Sequence, residues 1–320
     1  MTISRRTILG GAVGAAALAA TRSARAQQPR VIKMASLRLI HSIAPHFYER
    51  FLPPGVQVEV ITFDSPTDGK NAVVTRSVDF GMFGIAAATL GAAAGEPVVV
   101  IGGTCNGGMA VIAKADSPIQ TLRDLRGKRI GIWPGSTQEV FIMERLRMEG
   151  MSIRDVTAVR VPFGEMHAML ARGDIDAYVG AEPTPGLSIS SGVGRLVEYP
   201  YSTPMGSLNM VFCAHEQMLS QNPDLVMTML RIHRKATEFA MANKPEMVNV
   251  AVQRLGAQRA ALEAAVGNVE LTWRMDDTLK RQARLYAEHM LTLRQIRALP
   301  NFDAFFNSSF NDRLAAEPAS

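Results

Sequence analysis

The sequence predicts an α/β fold made of two similar lobes, joined by a hinge and followed by a helical C-terminal part. Three observations carry this expectation. Strand-like and helix-like segments alternate through residues 31–101. A unit of helix, tight turn, Asp, apolar strand and terminal Gly occurs at residues 78–84 and again at 175–180. Beyond residue 214 the pattern reads as almost entirely helical through residue 299. Alternation of strand and helix is the signature of a largely parallel sheet covered by helices.

Each element has a local reason. Residues 31–36 form a short apolar strand, 43–51 a helical stretch, and Pro53-Pro54-Gly55 a turn. Val56, Val58, Val60 and Ile61 give the second strand. A helix at 67–76 leads to the third strand at 78–84, and a helix at 86–94 precedes the fourth at 97–101. The middle of the chain repeats the theme, with strands at 129–133 and 156–161 and helices at 136–149 and 164–172. A further strand is expected at 208–214. Asp276 or Asp277 can cap a helix whose Leu279, Ala283, Tyr286, Met290, Leu293 and Ile296 share one face at three- and four-residue steps. The expected lobes are residues 27–108 with 208–320, and residues 109–207. The chain then crosses twice, near 107–114 and near 204–213, which makes a hinge.

The first 26 residues read as a removable export signal. Arg5-Arg6 precedes an apolar Gly/Ala-rich run, and Ala24-Arg25-Ala26 is a small-x-small cleavage pattern. The adjacent arginines resemble the twin-arginine signal, so export to the periplasm with cleavage after Ala26 is expected. The apolar run is shorter than the roughly 20 residues a spanning helix needs. Arg5, Arg6, Arg22 and Arg25 account for four of the formal net charge of +5, which leaves +1 on the remainder. The basic balance therefore gives no support for nucleic-acid binding or a polybasic membrane surface. Cys105 and Cys213 are the only cysteines, too few for a disulfide framework; whether they pair is open.

Several segments, in this order and spacing, resemble the nitrate, sulfonate and taurine group of periplasmic solute-binding proteins, which also includes receptors for thiamine-precursor pyrimidines. They are Arg76-Ser77-Val78-Asp79-Phe80-Gly81, Ala92-Ala93-Ala94-Gly95-Glu96-Pro97, Leu122-Arg123-Asp124-Leu125-Arg126-Gly127-Lys128, Pro134-Gly135-Ser136-Thr137, Gly173-Asp174-Ile175-Asp176-Ala177 and Glu182-Pro183. The resemblance implies the type II periplasmic-binding-protein fold with a ligand held between the lobes. It also implies delivery of a sulfonate, nitrate, carboxylate or pyrimidine solute to an ABC transporter permease with its ATPase, by a monomeric receptor. Ala181 stands where many relatives carry an aromatic residue, so ligand identity does not transfer.

Candidate ligand contacts follow from the expected strand ends, since open α/β sheets bind ligands beyond the carboxyl ends of their strands. In the first lobe these are Ser36, Arg38, His41 and Ser42 after the first strand, Gly84 and Ile85 after the third, and Thr104 and Asn106 after the fourth. From the second lobe come Gly135, Ser136 and Thr137 at a helix start, where free N–H groups suit an anion. The alternative there is that Ser136 or Thr137 only caps the helix. Glu182 falls at the family's pocket position, or merely favours a helix N-terminus.

The common local marks of nucleophilic, nucleotide and zinc chemistry are missing from the sequence, and no cofactor or metal is expected. An enzyme similar to the pyrimidine synthases of the same superfamily is the alternative; those rely on a Cys-rich iron-associated segment. A receptor reporting to a membrane sensor would use the same two lobes.

Overall fold

The computed structural model describes residues 30–318. The expected signal, with Arg5, Arg6 and the cleavage point after Ala26, lies outside them. The chain opens with β1 (Arg30–Leu37), two 3-10 helices at Ile40–Ser42 and Ala44–Phe51, β2 (Val56–Phe63), α1 (Pro66–Val74), β3 (Phe80–Gly84), α2 (Ile85–Ala93) and β4 (Val98–Gly107). It continues through β5 (Met109–Lys114), β6 (Arg129–Ile132), α3 (Thr137–Met148), β7 (Thr157–Arg160), α4 (Met166–Arg172), β8 (Ala177–Ala181), α5 (Thr184–Ser190) and β9 (Gly194–Glu198). After β10 (Leu208–His215) come α6 (Glu216–Gln221), α7 (Pro223–Ala242), α8 (Lys244–Leu255), α9 (Arg259–Ala265), β11 (Val269–Leu271), α10 (Asp277–Thr292), α11 (Phe302–Phe305) and α12 (Ser309–Ala315).

The strands form two sheets. One has six strands in the order β11-β4-β10-β3-β1-β2, and the other five in the order β7-β6-β8-β5-β9. In the first, β1 pairs in parallel with β2 and β3, as the alternating pattern predicts. The expected parallel neighbours β3 and β4 do not touch, because β10 inserts between them, antiparallel to both. Wholly buried Phe212 of β10 packs its ring 5.7 Å from that of Phe80 in β3, so burial on both faces, and not sequence proximity, fixes its place. In the second sheet β6 is parallel to β7 and β8, while β5 is antiparallel to β8 and β9.

Three strands depart from the sequence expectation. Residues 109–114, read as a crossing, are strand β5. β9 was not expected, and β11 interrupts the run read as helical. β11 has only three residues, too few for a periodicity signal, and its alternating Val269 and Leu271 are buried against β4. The chain crosses between sheets at Gly107-Gly108, both in the left-handed region at φ 71° and 72°, and again through residues 199–207.

Caps and stripes hold the helices. Ser65 caps α1, with Pro66 opening it, and Asp276 accepts from the Leu279 amide at 2.9 Å to start α10. Leu279, Ala283, Tyr286 and Met290 are buried as the spacing predicts; Leu293 ends the helix and Ile296 packs from the loop beyond it. No described helix is long and apolar enough to cross a membrane.

Candidate functional site

The two sheets meet along a boundary with a filled inner part and an open outer part. The inner part begins at the end of β1. There the Ser42 hydroxyl accepts from the Leu37 amide at 3.0 Å, and the Ser36 hydroxyl donates to the Ser42 carbonyl at 2.9 Å. Both serines are fully buried and tie down the loop, so they have no surface to offer a ligand. The loop turns His41 inward. A Cβ placed on Gly108 would fall 2.0 Å from Nε2 of His41, so the imidazole packs flush on the crossing point and only glycine fits there. Neither ring nitrogen has a well-formed partner. Desolvation pushes the His41 pKa down to about 4, although backbone groups of Gly108, Gly107 and Glu182 pull the other way.

Glu182 follows β8 and is 2% exposed. Its carboxylate accepts from the Gly186 amide at 2.9 Å and from Asn268 Nδ2 at 3.2 Å, and its own amide donates to the Gly108 carbonyl at 2.9 Å. Burial raises its pKa, opposed by the two hydrogen bonds. The Tyr201 hydroxyl accepts from the Met109 amide at 2.7 Å and donates to its carbonyl at 3.0 Å, closing the same hub.

The turn at Gly135-Ser136-Thr137 also faces the other sheet. Ser136 caps α3 by accepting from the Glu139 amide at 3.2 Å, and the Glu139 carboxylate accepts from the Gly135 amide at 2.8 Å. The capping alternative is thus in place. The Thr137 hydroxyl donates to the Asn209 carbonyl of β10 at 3.2 Å, and Tyr286 of α10 donates to the Thr137 carbonyl at 3.2 Å. Gly84 lies against this threonine, since a Cβ there would come 2.5 Å from Thr137 Oγ1. Ile85 is buried beside it at the start of α2. Farther along, the Glu144 carboxylate of α3 is 2.8 Å from Arg147 and 3.1 Å from His289 of α10.

Thr104 and Asn106 do not follow a strand, contrary to the sequence expectation. β4 runs on to Gly107, held by β10 and β11 on its two sides, so both residues lie within the sheet. The Thr104 hydroxyl is buried without a partner, and Asn106 Nδ2 is 3.4 Å from Glu270 of β11. Cys105 and Cys213 are free thiols, both buried, with pKa values pushed up by desolvation. Among the described residues there is no group of three His, Cys, Asp or Glu side chains placed to hold a metal.

The outer part is open. A cavity of about 520 Å³ is lined by Arg38, Leu39, Asp64, Phe163, Leu187 and Ala261, among others. A second, of about 540 Å³, is lined by Asp64, Ser65, Thr67, Trp133, Arg160 and Pro162. Asp64 and Pro162 belong to both, so the two adjoin along these residues. Arg38 is the candidate residue that lines the first of them, and its Nε is 2.9 Å from Asp64 Oδ1. Gly135 stands at the edge, its Cβ direction 3.6 Å from Thr67 Oγ1. The guanidinium of Arg160 lies 5.0 Å over the ring of Trp133. Sequence reasoning missed Asp64, Trp133 and Arg160. Each follows or ends β2, β6 or β7, and the strand-end rule applied to those strands finds them.

Residues 51–247 match the model of the family described as NMT1/THI5 like. The chain belongs to the NMT1/THI5-like family. Among curated members and relatives, a binding protein of Brucella abortus is 25% identical over 217 residues, 67% of each chain. The 4-amino-5-hydroxymethyl-2-methylpyrimidine phosphate synthase of Aspergillus parasiticus is 26% identical over 206 residues, 60% of each. Among solved structures, the alkanesulfonate-binding protein SsuA of Xanthomonas axonopodis pv. citri, bound to MOPS, superposes with a TM-score of 0.78 at 18% identity, covering 89% of this chain and all of that one. The fold of this family member is therefore of the periplasmic-binding-protein type that the sequence resemblance implied.

Proposed function

We propose that this NMT1/THI5-like protein is a periplasmic solute receptor that captures a small organic anion between two lobes and hands it to an ABC importer's permease. The observation that carries the reading is the pair of adjoining cavities, walled by residues at the carboxyl ends of strands from both sheets. In this reading the lobes are, among the described residues, 30–108 with 208–318, and 109–207, with Gly107-Gly108 and residues 199–207 as the hinge. Besides the contacts of α3 with β10 and α10, α9 packs on α5 so closely that a Cβ on Gly186 would come 2.4 Å from the Ala261 carbonyl. Solute contact with both lobes gives the closed state the differential affinity that drives closure. The SsuA likeness favours a sulfonate among the possible anions, and the receptor works as a monomer.

The synthase relative favours a second reading, in which the same cleft processes a pyrimidine precursor. The burial and raised pKa of both thiols argue against cysteine chemistry in it. A thermal-shift titration of the mature protein against sulfonates, nitrate, carboxylates and pyrimidines separates the two. A captured solute at about 100 times its Kd adds roughly 2.7 kcal/mol of stability and is recovered unchanged. A solute that is converted, or a complete lack of shift across the panel, overturns the receptor.

A further inference from the structure

The two cavities differ in chemistry, and the difference bears on what the cleft selects. Arg160 is exposed, and among the described residues no carboxylate lies within ion-pair distance of it, whereas Arg38 is occupied by Asp64. The Trp133 ring lies under its guanidinium, and a cation–π contact of this kind restrains a fork that can receive two oxygens of one oxyanion. The same cavity is lined by Ser65 and Thr67 at the start of α1; of its two carboxylates, Asp64 pairs with Arg38, and Asp68 sits in the first turn of that helix, where it offsets the helix dipole. The neighbouring 520 Å³ cavity is walled mainly by apolar groups, Phe163, Leu187 and Ala261 among them, and Glu165 stands on its wall as a negative charge without an ion-pair partner among the described residues.

We infer that the cleft selects an elongated monoanion, its oxyanion head on Arg160 and an apolar or cationic tail in the Phe163 and Leu187 compartment, and that Glu165 rejects a second anionic group. This deepens the receptor reading and rests on it. Cavities of this size match ligands of drug-like dimensions, roughly 300–1,000 Å³, and leave a bare inorganic or one-carbon anion with most of the apolar wall uncovered. Burying an aromatic or aliphatic tail on that wall adds affinity at about fourfold per methylene equivalent. A dianion brings its second charge beside Glu165, and a like-charge contact is penalised.

Calorimetric titration of the mature protein with 4-toluenesulfonate, MOPS, methanesulfonate and 1,3-benzenedisulfonate tests this. The expected order places toluenesulfonate and MOPS at least about tenfold tighter than methanesulfonate and the disulfonate. Arg160→Gln weakens all four by about tenfold or more, with the melting temperature of the unliganded protein unchanged because the side chain is exposed. Glu165→Gln raises the affinity for the disulfonate several-fold relative to that for toluenesulfonate. Normal binding by Arg160→Gln, or capture of only neutral or cationic solutes by the unaltered protein, overturns the anion seat while leaving a receptor. Equal affinity for methanesulfonate and toluenesulfonate overturns the tail compartment, and an unchanged ratio of disulfonate to toluenesulfonate affinity in Glu165→Gln overturns the charge filter. Failure of every solute, of any charge, removes the receptor reading itself.

Discussion

Along the inner boundary between the sheets most polar side chains pair with one another, with His41 and Thr104 as exceptions. Along the outer boundary Arg38 and Asp64 pair, and Arg160 and Glu165 are left without an ion-pair partner among the described residues. The Thr137 hydroxyl, the Glu182 carboxylate, Tyr201 and Asn268 each reach across or along the junction and find a partner there. Arg160, Glu165 and Thr67 border open space. A buried polar group without a partner is costly, so most groups at a junction are matched within the protein, and groups intended for a solute must stand where water satisfies them until it arrives. The inner residues should therefore govern stability, and the outer ones binding.

The largest expected effect breaks the inner boundary at its tightest point. Gly108→Ala combines a left-handed backbone with a Cβ 2.0 Å from a wholly buried imidazole, and more than about 4 kcal/mol of stability should be lost in urea unfolding. His41→Ala in the same chain should recover part of that loss, leaving the backbone strain. A loss under about 1 kcal/mol would mean that the crossing is far looser than its geometry.

Next is Glu144, 1% exposed and shared by Arg147 and His289. Glu144→Ala leaves Arg147 and His289 without their carboxylate and should cost about 2–3 kcal/mol. Burial pushes this carboxyl up, but the Arg147 hydrogen bonds and the His289 and Arg147 charges outweigh it and hold the pKa below its ordinary value. Its stabilisation is therefore present above the unfolded-state pKa and lost as pH falls through the folded one. An acid limb of the stability curve that is identical in Glu144→Gln would contradict this.

The histidines act in a separate window. His41 and His233 are wholly buried, with pKa values lowered by desolvation from 6.5 to about 4. Below pH about 6.5 the unfolded chain takes up protons that the folded chain refuses, so stability falls toward pH 4 by up to about 1.4 kcal/mol per pH unit for each group. His41→Leu should flatten that slope, read from urea midpoints at pH 7 and pH 5. An unchanged slope would show that His41 is protonated or solvated in the folded protein.

The smallest effect belongs to the outer boundary. Arg38 and Asp64 are more than half exposed, and Arg38→Ala should change stability by less than about 1 kcal/mol, measured by the same unfolding experiment. A larger loss would make this pair a structural joint and blur the distinction between the two boundaries.

The same distinction explains what was legible in the sequence. Periodicity found α1, α2 and α3 within a residue or two, found the start of α10 while running it four residues past its end, and found most of the long strands, because burial on one face or both writes itself into residue spacing. β11 and β9 escaped. The first is three residues long, and the second alternates only weakly, with none but Gly194 fully buried. The polar motifs that stand out in the sequence, Gly135-Ser136-Thr137, the Glu182-Pro183 pair and the Thr104-Cys105-Asn106 trio among glycines, lie at the junction or within β4. Arg160 and Trp133 carry no motif at all. An arginine ending a strand looks the same in sequence whether it meets solvent or a solute, and only the apposition of two sheets distinguishes them.

β10 has one further consequence, for the order in which the molecule can be built. The strand that joins β3 to β4 is made of residues 208–215, after the whole of the five-stranded sheet at residues 109–198 has been synthesised. A nascent chain that has emerged through residue 107 carries four strands that cannot yet form one sheet, and β3 and β4 each expose an edge until β10 arrives. The sheet begun first is thus finished last. A chain that stops before residue 208 leaves those early edges open, which a chain of two consecutive domains would not do.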